Sequence, residues 1–347
     1  MKSLLQQLMS AEFSQEGESE MGVRVGVVGA GRWGTALSIL LSGAGHQVRL
    51  FPLESELERL LRTRQSPYLE NFIIPKEVSI TAEIETRDLE ILILALPGEY
   101  LQETWDKWRP AVVKGTIIVN TAKMIECRDG DLFLPSQIIN PDIFHFVHFV
   151  SAAFPQGLLR GSPTIGTAFS SDELSSKKIV SLFSDTLIRP YHSRDLNGGQ
   201  IGCAIKNTIA IAAGIADGLG FDETTRSAIA SRGLKEMRDF ACSHLGHPET
   251  FGAGTTIMTD LVATCFSPYS RNFRFGQALV KKGHQEAQES IKGTIEGIKT
   301  TLALAGICHD FAEKMPISEA VCSIIMEKTT PISAMKKLMS RPFKHED

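Results

Sequence analysis

Near the start of the chain three patterns follow one another without a gap, and together they leave few folds open. Val23 to Val28 is a strand-like apolar run, Gly29-Ala30-Gly31-Arg32-Trp33-Gly34 follows at once, and Thr35 to Leu41 continues with helical apolar spacing. Gly43-Ala44-Gly45 ends that helix, and Gln47 to Phe51 reads as a second strand. A lone G-x-G-x-x-G says little. Strand, glycines, helix and strand in this order describe a βαβ unit with parallel strands. In such a unit the first glycine makes the turn, the second lets backbone approach a pyrophosphate, and the third lets helix and strand pack closely. The helix N-terminus then faces the anion. Gly29, Gly31 and Gly34, with Arg32 and Trp33 between them, are therefore candidate dinucleotide contacts.

The strand pattern recurs downstream. Ile91 to Leu96 runs into Pro97-Gly98, Thr116 to Val119 into Asn120-Thr121-Ala122-Lys123, and Phe144 to Val150 into Ser151 and a Gly- and Pro-rich segment through Pro163. Helical segments between these strands predict an α/β Rossmann-type fold, a doubly wound and mainly parallel sheet with ligands at the strand C-terminal ends. Pro97 and Lys123 stand just past such ends. The end of the second strand should meet the adenosine ribose, where an acidic residue favours NAD and a nearby arginine NADP. Phe51-Pro52-Leu53-Glu54, with Arg49 inside the strand, leans towards NAD.

From Leu196 onward helical patterns replace strands, and a chain of 347 residues has room for a second core. The expected division is a cofactor domain over residues 22–195 and an all-α substrate domain over residues 196–340. Residues 1–21 read as a disordered or weakly helical extension, with Met21 a possible alternative start. Within the second part, the run from Ile201 to Gly220 is almost wholly small and apolar, so a helix there would be buried on all sides. Lys206-Asn207 interrupts it. A buried lysine must lose its charge, find a partner or line a cavity, unless it sits near a helix end and snorkels to solvent.

Asp222 to Leu245 reads as an amphipathic helix. Asp260 and Thr264, four apart, share a face if a helix holds through them. Ser270-Arg271-Asn272 is a compact donor cluster suited to phosphate oxygens. Glu289 to Ala305 and Ile317 to Met326 read as packed helices, with Pro316 at the first helical position of the latter. His145 and His148 fall on opposite faces of a strand, which argues against a shared metal site. His244 and His247 suit a helix C-terminus. The 6 cysteines form no C-x-x-C and fit reduced thiols, so no metal is expected. A net charge of −4 gives no nucleic-acid footprint, and Arg32, Lys206 and Asp217 break every run long enough for a membrane span. The expected location is the cytoplasm.

The ordered series of motifs from Val23 to Leu338 resembles the NAD(P)-dependent glycerol-3-phosphate dehydrogenases, closest to the bacterial type. It includes the glycine motif through Ala36, Ala95-Leu96-Pro97, Ala204-Ile205-Lys206-Asn207 and Ala212 to Gly218. It continues through Arg232 to Met237, Asp260-Leu261 with Thr264-Cys265, Ser270-Arg271-Asn272 and Met315-Pro316-Ile317. The resemblance implies reversible hydride transfer between glycerol 3-phosphate and nicotinamide, feeding glycerophospholipid synthesis, in a cleft between the two domains of a homodimer. It implies NAD or NADP as cofactor and a small phosphorylated substrate. It makes Lys206 the catalytic lysine, Lys123 a second lysine touching substrate and cofactor, and Asp260 their acidic partner. Asn207, Thr264, Ser270, Arg271 and Asn272 would bind substrate, with Arg271 and Glu296 also near the cofactor.

Some positions depart from the family pattern. Met124 follows Lys123 where glycine is usual, and Ser151-Ala152-Ala153-Phe154-Pro155 replaces a Ser-Gly-Pro segment and is one residue shorter. Thr255 to Thr259 replaces a glycine-rich approach to Asp260, and Leu53 stands where many members carry arginine. These changes surround substrate and ribose. They leave two alternatives: a sister dehydrogenase of another hydroxy compound, such as a ketopantoate or hydroxyacid reductase, or a non-catalytic nucleotide-binding relative. A pure scaffold would have no use for a buried Lys-Asn pair.

Overall fold

The strand–glycine–helix–strand pattern folds as β1 (Arg24–Val28), α1 (Arg32–Gly43) and β2 (Gln47–Phe51), with β1 and β2 parallel. The structure is a computed structural model that describes residues 22–69 and 71–342. The 1–21 extension lies outside the described residues, as does the side chain of Glu54.

The first part continues with α2 (Glu54–Thr63), β3 (Ser79–Ile80), β4 (Ile91–Leu94), α3 (Leu101–Trp108) and β5 (Ile117–Asn120). A hairpin of β6 (Glu126–Arg128) and β7 (Asp131–Phe133) follows, then β8 (His145–Ser151), β9 (Thr164–Phe169), α4 (Glu173–Phe183) and β10 (Ile188–Ser193). The main sheet runs in the order β10-β9-β8-β5-β4-β1-β2-β3. Its pairs are parallel except β8 with β9. Alternation along each strand feeds two cores. Ile91 and Ile93 of β4 join Leu37, Leu41, Leu60 and Ile179 on one face. Leu92 and Leu94 join Trp105, Trp108 and the helical part on the other. That second core is continuous across the two parts of the chain.

The helical part contains α5 (Leu196–Gly218), α6 (Glu223–Cys242), α7 (Thr256–Phe266), α8 (Arg271–Lys282), α9 (Glu296–Ile307), α10 (Pro316–Ile325) and α11 (Pro331–Met339). The apolar run is α5, buried along nearly its whole length and started by Asp195, whose carboxylate accepts the Gly198 N–H. Small residues let it pack at backbone distance. A Cβ on Gly214 would lie 2.0 Å from the Phe273 carbonyl oxygen, and one on Gly276 2.2 Å from that of Ile211. No helix of the described residues is long and apolar enough to cross a membrane.

One reading of the sequence needs correction. The helix expected over Glu289 to Ala305 is broken and restarts at Glu296. Gly293 in the gap takes a φ of +91°, and the guanidinium of Arg271 fills the space where a Cβ would stand, 2.9 Å away. The Gly- and Pro-rich segment after Ser151 carries a short helix over Pro155–Leu159 before β9, which pairs with β8. Smaller expectations hold. Asp222 starts α6 by accepting the Thr225 N–H, and the His244 ring lies 2.8 Å from the Phe240 carbonyl near its end. Pro316 opens α10, and His148 is buried while His145 is exposed.

Candidate active site

The glycine motif occupies the C-terminal end of β1, next to that of β4. Strand connections run outward from this point in both directions, which makes it the switch-point crevice of a doubly wound sheet. Each glycine has its own reason to be there. Gly29 has a φ of +101°, and a Cβ on it would meet the Ala95 carbonyl at 2.7 Å. A Cβ on Gly34 would come 1.9 Å from the Gly29 oxygen, so α1 could not sit on the turn. At Gly31 nothing lies within 4 Å, so its backbone faces open space. Gly31 also brings no capping side chain to α1, leaving the first-turn N–H groups for another acceptor. An open approach, an uncapped helix start and flanking arginines fit a dinucleotide pyrophosphate. The Arg32 guanidinium is held below its ordinary pKa by partial burial and by the like charges of Arg271 and Arg274. Three cations thus converge where α8 meets the glycine turn. Trp33 is partly buried against the sheet core, and Pro97 ends the turn after β4.

At the ribose end, Arg49 is taken up by the Asp88 carboxylate at 3.2 Å and the Glu85 carbonyl at 2.7 Å. Leu53 is exposed beside it.

Across the crevice, α5 brings Lys206 to α7. The ammonium donates to Asp260 Oδ1 at 2.9 Å and to Thr264 Oγ1 at 2.5 Å, and Thr264 in turn donates to the Asp260 carbonyl. The helix does hold from Asp260 through Thr264, and Thr255 caps its start. From the loop after β5, Lys123 donates to Asp260 Oδ2 at 2.6 Å. One carboxylate therefore serves two ammonium groups from opposite sides of the crevice. Burial opposes the charge on Asp260, yet the two lysines hold its pKa below the ordinary value. Burial pushes Lys206 down to about 8, helped by Lys123 and resisted by Asp260. Lys123, 22 % exposed at its side chain, is also opposed by burial, but the charge and hydrogen bond of Asp260 win and raise it. Two lysines sharing one partner are thus pushed apart.

The remaining candidates divide. Asn207 donates weakly to Glu296 at 3.4 Å and accepts from Asn272 at 2.9 Å, while Asn272 Oδ1 accepts the Gly297 N–H at 3.0 Å. Asn272 thereby ties α8 to α5 and α9. Ser270 accepts the Phe273 N–H and starts α8. Arg271 alone of the Ser-Arg-Asn cluster makes no hydrogen bond or ion pair to the described residues. Glu296 sits at the first position of α9. Burial raises its pKa despite the charges of Arg271, Lys123 and Lys206.

Sequence reasoning missed several groups around the site. Glu99, just past β4, accepts from Thr294 Oγ1 at 2.8 Å and Lys299 Nζ at 2.5 Å, tying the sheet to the start of α9. Met124, in the usual glycine position, packs its buried side chain against Gly98. His148 and Cys203 meet beneath the lysines. Spacing separates His148 from His145 across the strand, but β8 is buried on both faces from Phe146 onward and no local signal names the partner of His148.

Comparison with known proteins puts this geometry in a family. The model of the NAD-dependent glycerol-3-phosphate dehydrogenase N-terminus matches residues 24–151, and that of the C-terminus matches residues 195–336. A protein of Halalkalibacterium halodurans named glycerol-3-phosphate dehydrogenase (NAD(P)+) is 35% identical over 331 residues, 93% of this chain and 95% of its own. One of the same name from Desulfitobacterium hafniense is 32% identical, over 93% of each chain. Among solved structures, glycerol-3-phosphate dehydrogenase from Coxiella burnetii superposes with a TM-score of 0.83 at 26% identity, covering 93% of this chain and 100% of that one. A putative ketopantoate reductase from Ralstonia solanacearum shares only the fold, with a TM-score of 0.54 at 15% identity over 88% of this chain and 97% of that one. Matched in both halves and along nearly its whole length, the chain belongs to the NAD-dependent glycerol-3-phosphate dehydrogenase family.

Proposed function

We propose that this enzyme interconverts sn-glycerol 3-phosphate and dihydroxyacetone phosphate, with NAD or NADP held on the glycine turn. The observation that carries the reading is the Asp260 carboxylate shared by two ammonium groups, Lys206 at 2.9 Å and Lys123 at 2.6 Å. Burial pushes Lys206 down to about 8 against the pull of Asp260, whereas Asp260 raises Lys123. Environments that drive two like groups apart divide acid–base from electrostatic work. Lys206 takes the hydroxyl proton in oxidation and, as ammonium, polarises and protonates the ketone oxygen in reduction. Lys123 remains charged and stabilises negative charge on that oxygen. A dinucleotide held on the turn of Gly29, Gly31 and Gly34 would supply the hydride donor or acceptor for C2. Thr264 orients the Lys206 ammonium, and Glu296 with Asn207 borders the crevice from α9 and α5. Arg271, without a hydrogen bond or ion pair to the described residues, is the cation for the substrate phosphate, and Ser270 and Asn272 hold it there by building the start of α8. Fixing the phosphate end keeps C2 in place, an entropic contribution to the rate.

The test is NADH oxidation on adding dihydroxyacetone phosphate, with NADPH and with unphosphorylated dihydroxyacetone in parallel. Turnover with the phosphorylated ketone, faster with NADH, is the expected result. Equal rates on dihydroxyacetone would instead favour a sister activity. No oxidation at all would favour a nucleotide-binding relative without catalysis. Arg271→Ala is expected to raise KM for dihydroxyacetone phosphate by roughly 30-fold, the equivalent of about 2 kcal/mol for a charge-assisted phosphate contact. Unchanged KM and kcat would remove Arg271 from the phosphate site.

The preference for NAD follows from Arg49, which Asp88 and Glu85 already occupy. The boundary between the two domains is proposed at residues 195 and 196, where the last strand gives way to α5. A cytoplasmic homodimer supplying glycerophospholipid synthesis completes the proposal. The exposed Phe221 and Ile332 offer an apolar face for the second copy, and sedimentation velocity tests it.

A further inference from the structure

Beneath the lysines runs a chain of buried polar groups that the chemistry above does not use. Asn120 ends β5. Its Oδ1 accepts the Ala122 N–H at 3.2 Å, which fixes the amide orientation. Its Nδ2 then donates to the Ala122 carbonyl at 3.2 Å and to His148 Nδ1 at 3.0 Å. With Nδ1 accepting, the proton of the neutral ring belongs on Nε2. That atom lies 3.0 Å from Cys203 Sγ on α5, one turn before Lys206. The Cys203 thiol donates onward to the Gln200 carbonyl at 3.2 Å. Asn120, His148 and Cys203 are all fully buried, at 0% exposure.

Burial and one nearby charge act on the ring. Burial first, and then Lys123 from the loop after β5, push His148 down to about 3. Burial pushes Cys203 up to about 12, with Lys123, Lys206, Asp260 and Glu296 as the surrounding charges. The pair is therefore a neutral imidazole and a neutral thiol. A thiolate–imidazolium nucleophile is not what this site holds.

The link spans three elements. Asn120 lies three residues before Lys123, Cys203 three before Lys206, and His148 on β8 stands between them. We propose that His148 is a positioning residue: its neutral ring ties the loop that carries Lys123 to the helix that carries Lys206, and so sets how the two ammonium groups share Asp260. The proposal rests on the function above only for what that arrangement is used for.

Three variants separate positioning from mere filling. His148→Leu fills the space without either link. In His148→Gln the amide stands near the place of Nε2 and can reach Cys203, whereas in His148→Asn it stands near that of Nδ1 and can reach only Asn120. The first readout needs no substrate. Lysine acetylation by acetic anhydride is followed against pH in the free enzyme, with peptide mass mapping of Lys206 and Lys123. His148→Leu is expected to lower the pH of half-reaction at Lys206 by at least about half a pH unit, because Asp260 is less well placed to hold the ammonium. His148→Gln, which keeps the Cys203 link that holds the Lys206 helix against β8, should restore it, and His148→Asn, which keeps only the loop link, should not. The second readout is ketone reduction. kcat should fall about 10-fold in His148→Leu and His148→Asn, with KM for NADH within about 2-fold, and recover in His148→Gln.

A folded His148→Leu protein with wild-type Lys206 reactivity and kcat overturns the proposal. If that variant does not fold, equal behaviour of His148→Gln and His148→Asn overturns it. A wild type inactive on dihydroxyacetone phosphate sinks the proposed function, while the acetylation profiles still decide the role of His148.

Discussion

Lys206→Ala is expected to lower turnover by about 10²-fold or more, since a general acid–base group contributes on that scale. The fold should survive. Asp260 keeps Lys123 at 2.6 Å, so the substitution removes a buried charge without stranding its partner. In the wild type the same lysine should shape the pH profile. In the proposed role ketone reduction needs the ammonium, so kcat/KM should fall as pH rises through about 8. Alcohol oxidation uses the free amine and should rise over the same range to a plateau. Steady-state rates in both directions, with a melting curve for each protein, check the set. Near-normal turnover in a folded Lys206→Ala enzyme, or limbs of the same sign in both directions, would take the acid–base role away from Lys206.

The second large effect falls on Asp260. Asn keeps the shape and removes the charge, leaving two ammonium groups with no counter-charge between them. Turnover in Asp260→Asn is expected to fall by about 10²-fold, the scale of a lost electrostatic partner. The limb set by Lys206 should also move below pH 8, because the group resisting desolvation is gone. Asp260→Leu goes further, since removing one member of a buried ion pair destabilises by about 3–5 kcal/mol. Urea titration of both variants, with the pH profile of Asp260→Asn, tests this. A pH limb left in place would mean that Asp260 does not tune Lys206.

How far the sequence discloses this molecule depends on whether a signal is local. The βαβ start is legible because three glycines, each with a different steric duty, sit between two apolar runs. Asp260 and Thr264 are legible as a pair through helical spacing, and the buried setting of Lys206 through the apolar run around it. Other parts are not local. β10 carries Pro190 and is not among the strands read from the sequence. Proline is tolerated there because the strand lies at the sheet edge, a position only the assembled sheet defines. At the break before α9, Gly293 takes a positive φ beside the guanidinium of Arg271, a contact between segments about twenty residues apart. Asn272 reads as a ligand donor, yet its amide is committed to Asn207 and Gly297. His148 is separable from His145 by strand spacing, but Cys203 reaches it only through the docking of α5 on β8.

Lys123 comes from the sheet half and Asp260 from the helical half. A chimera joining the first half of this enzyme to the second half of a relative would therefore need more than two well-folded modules. It would also have to inherit a matched register of one lysine and one carboxylate, or it would fold around a charge with nothing to answer it.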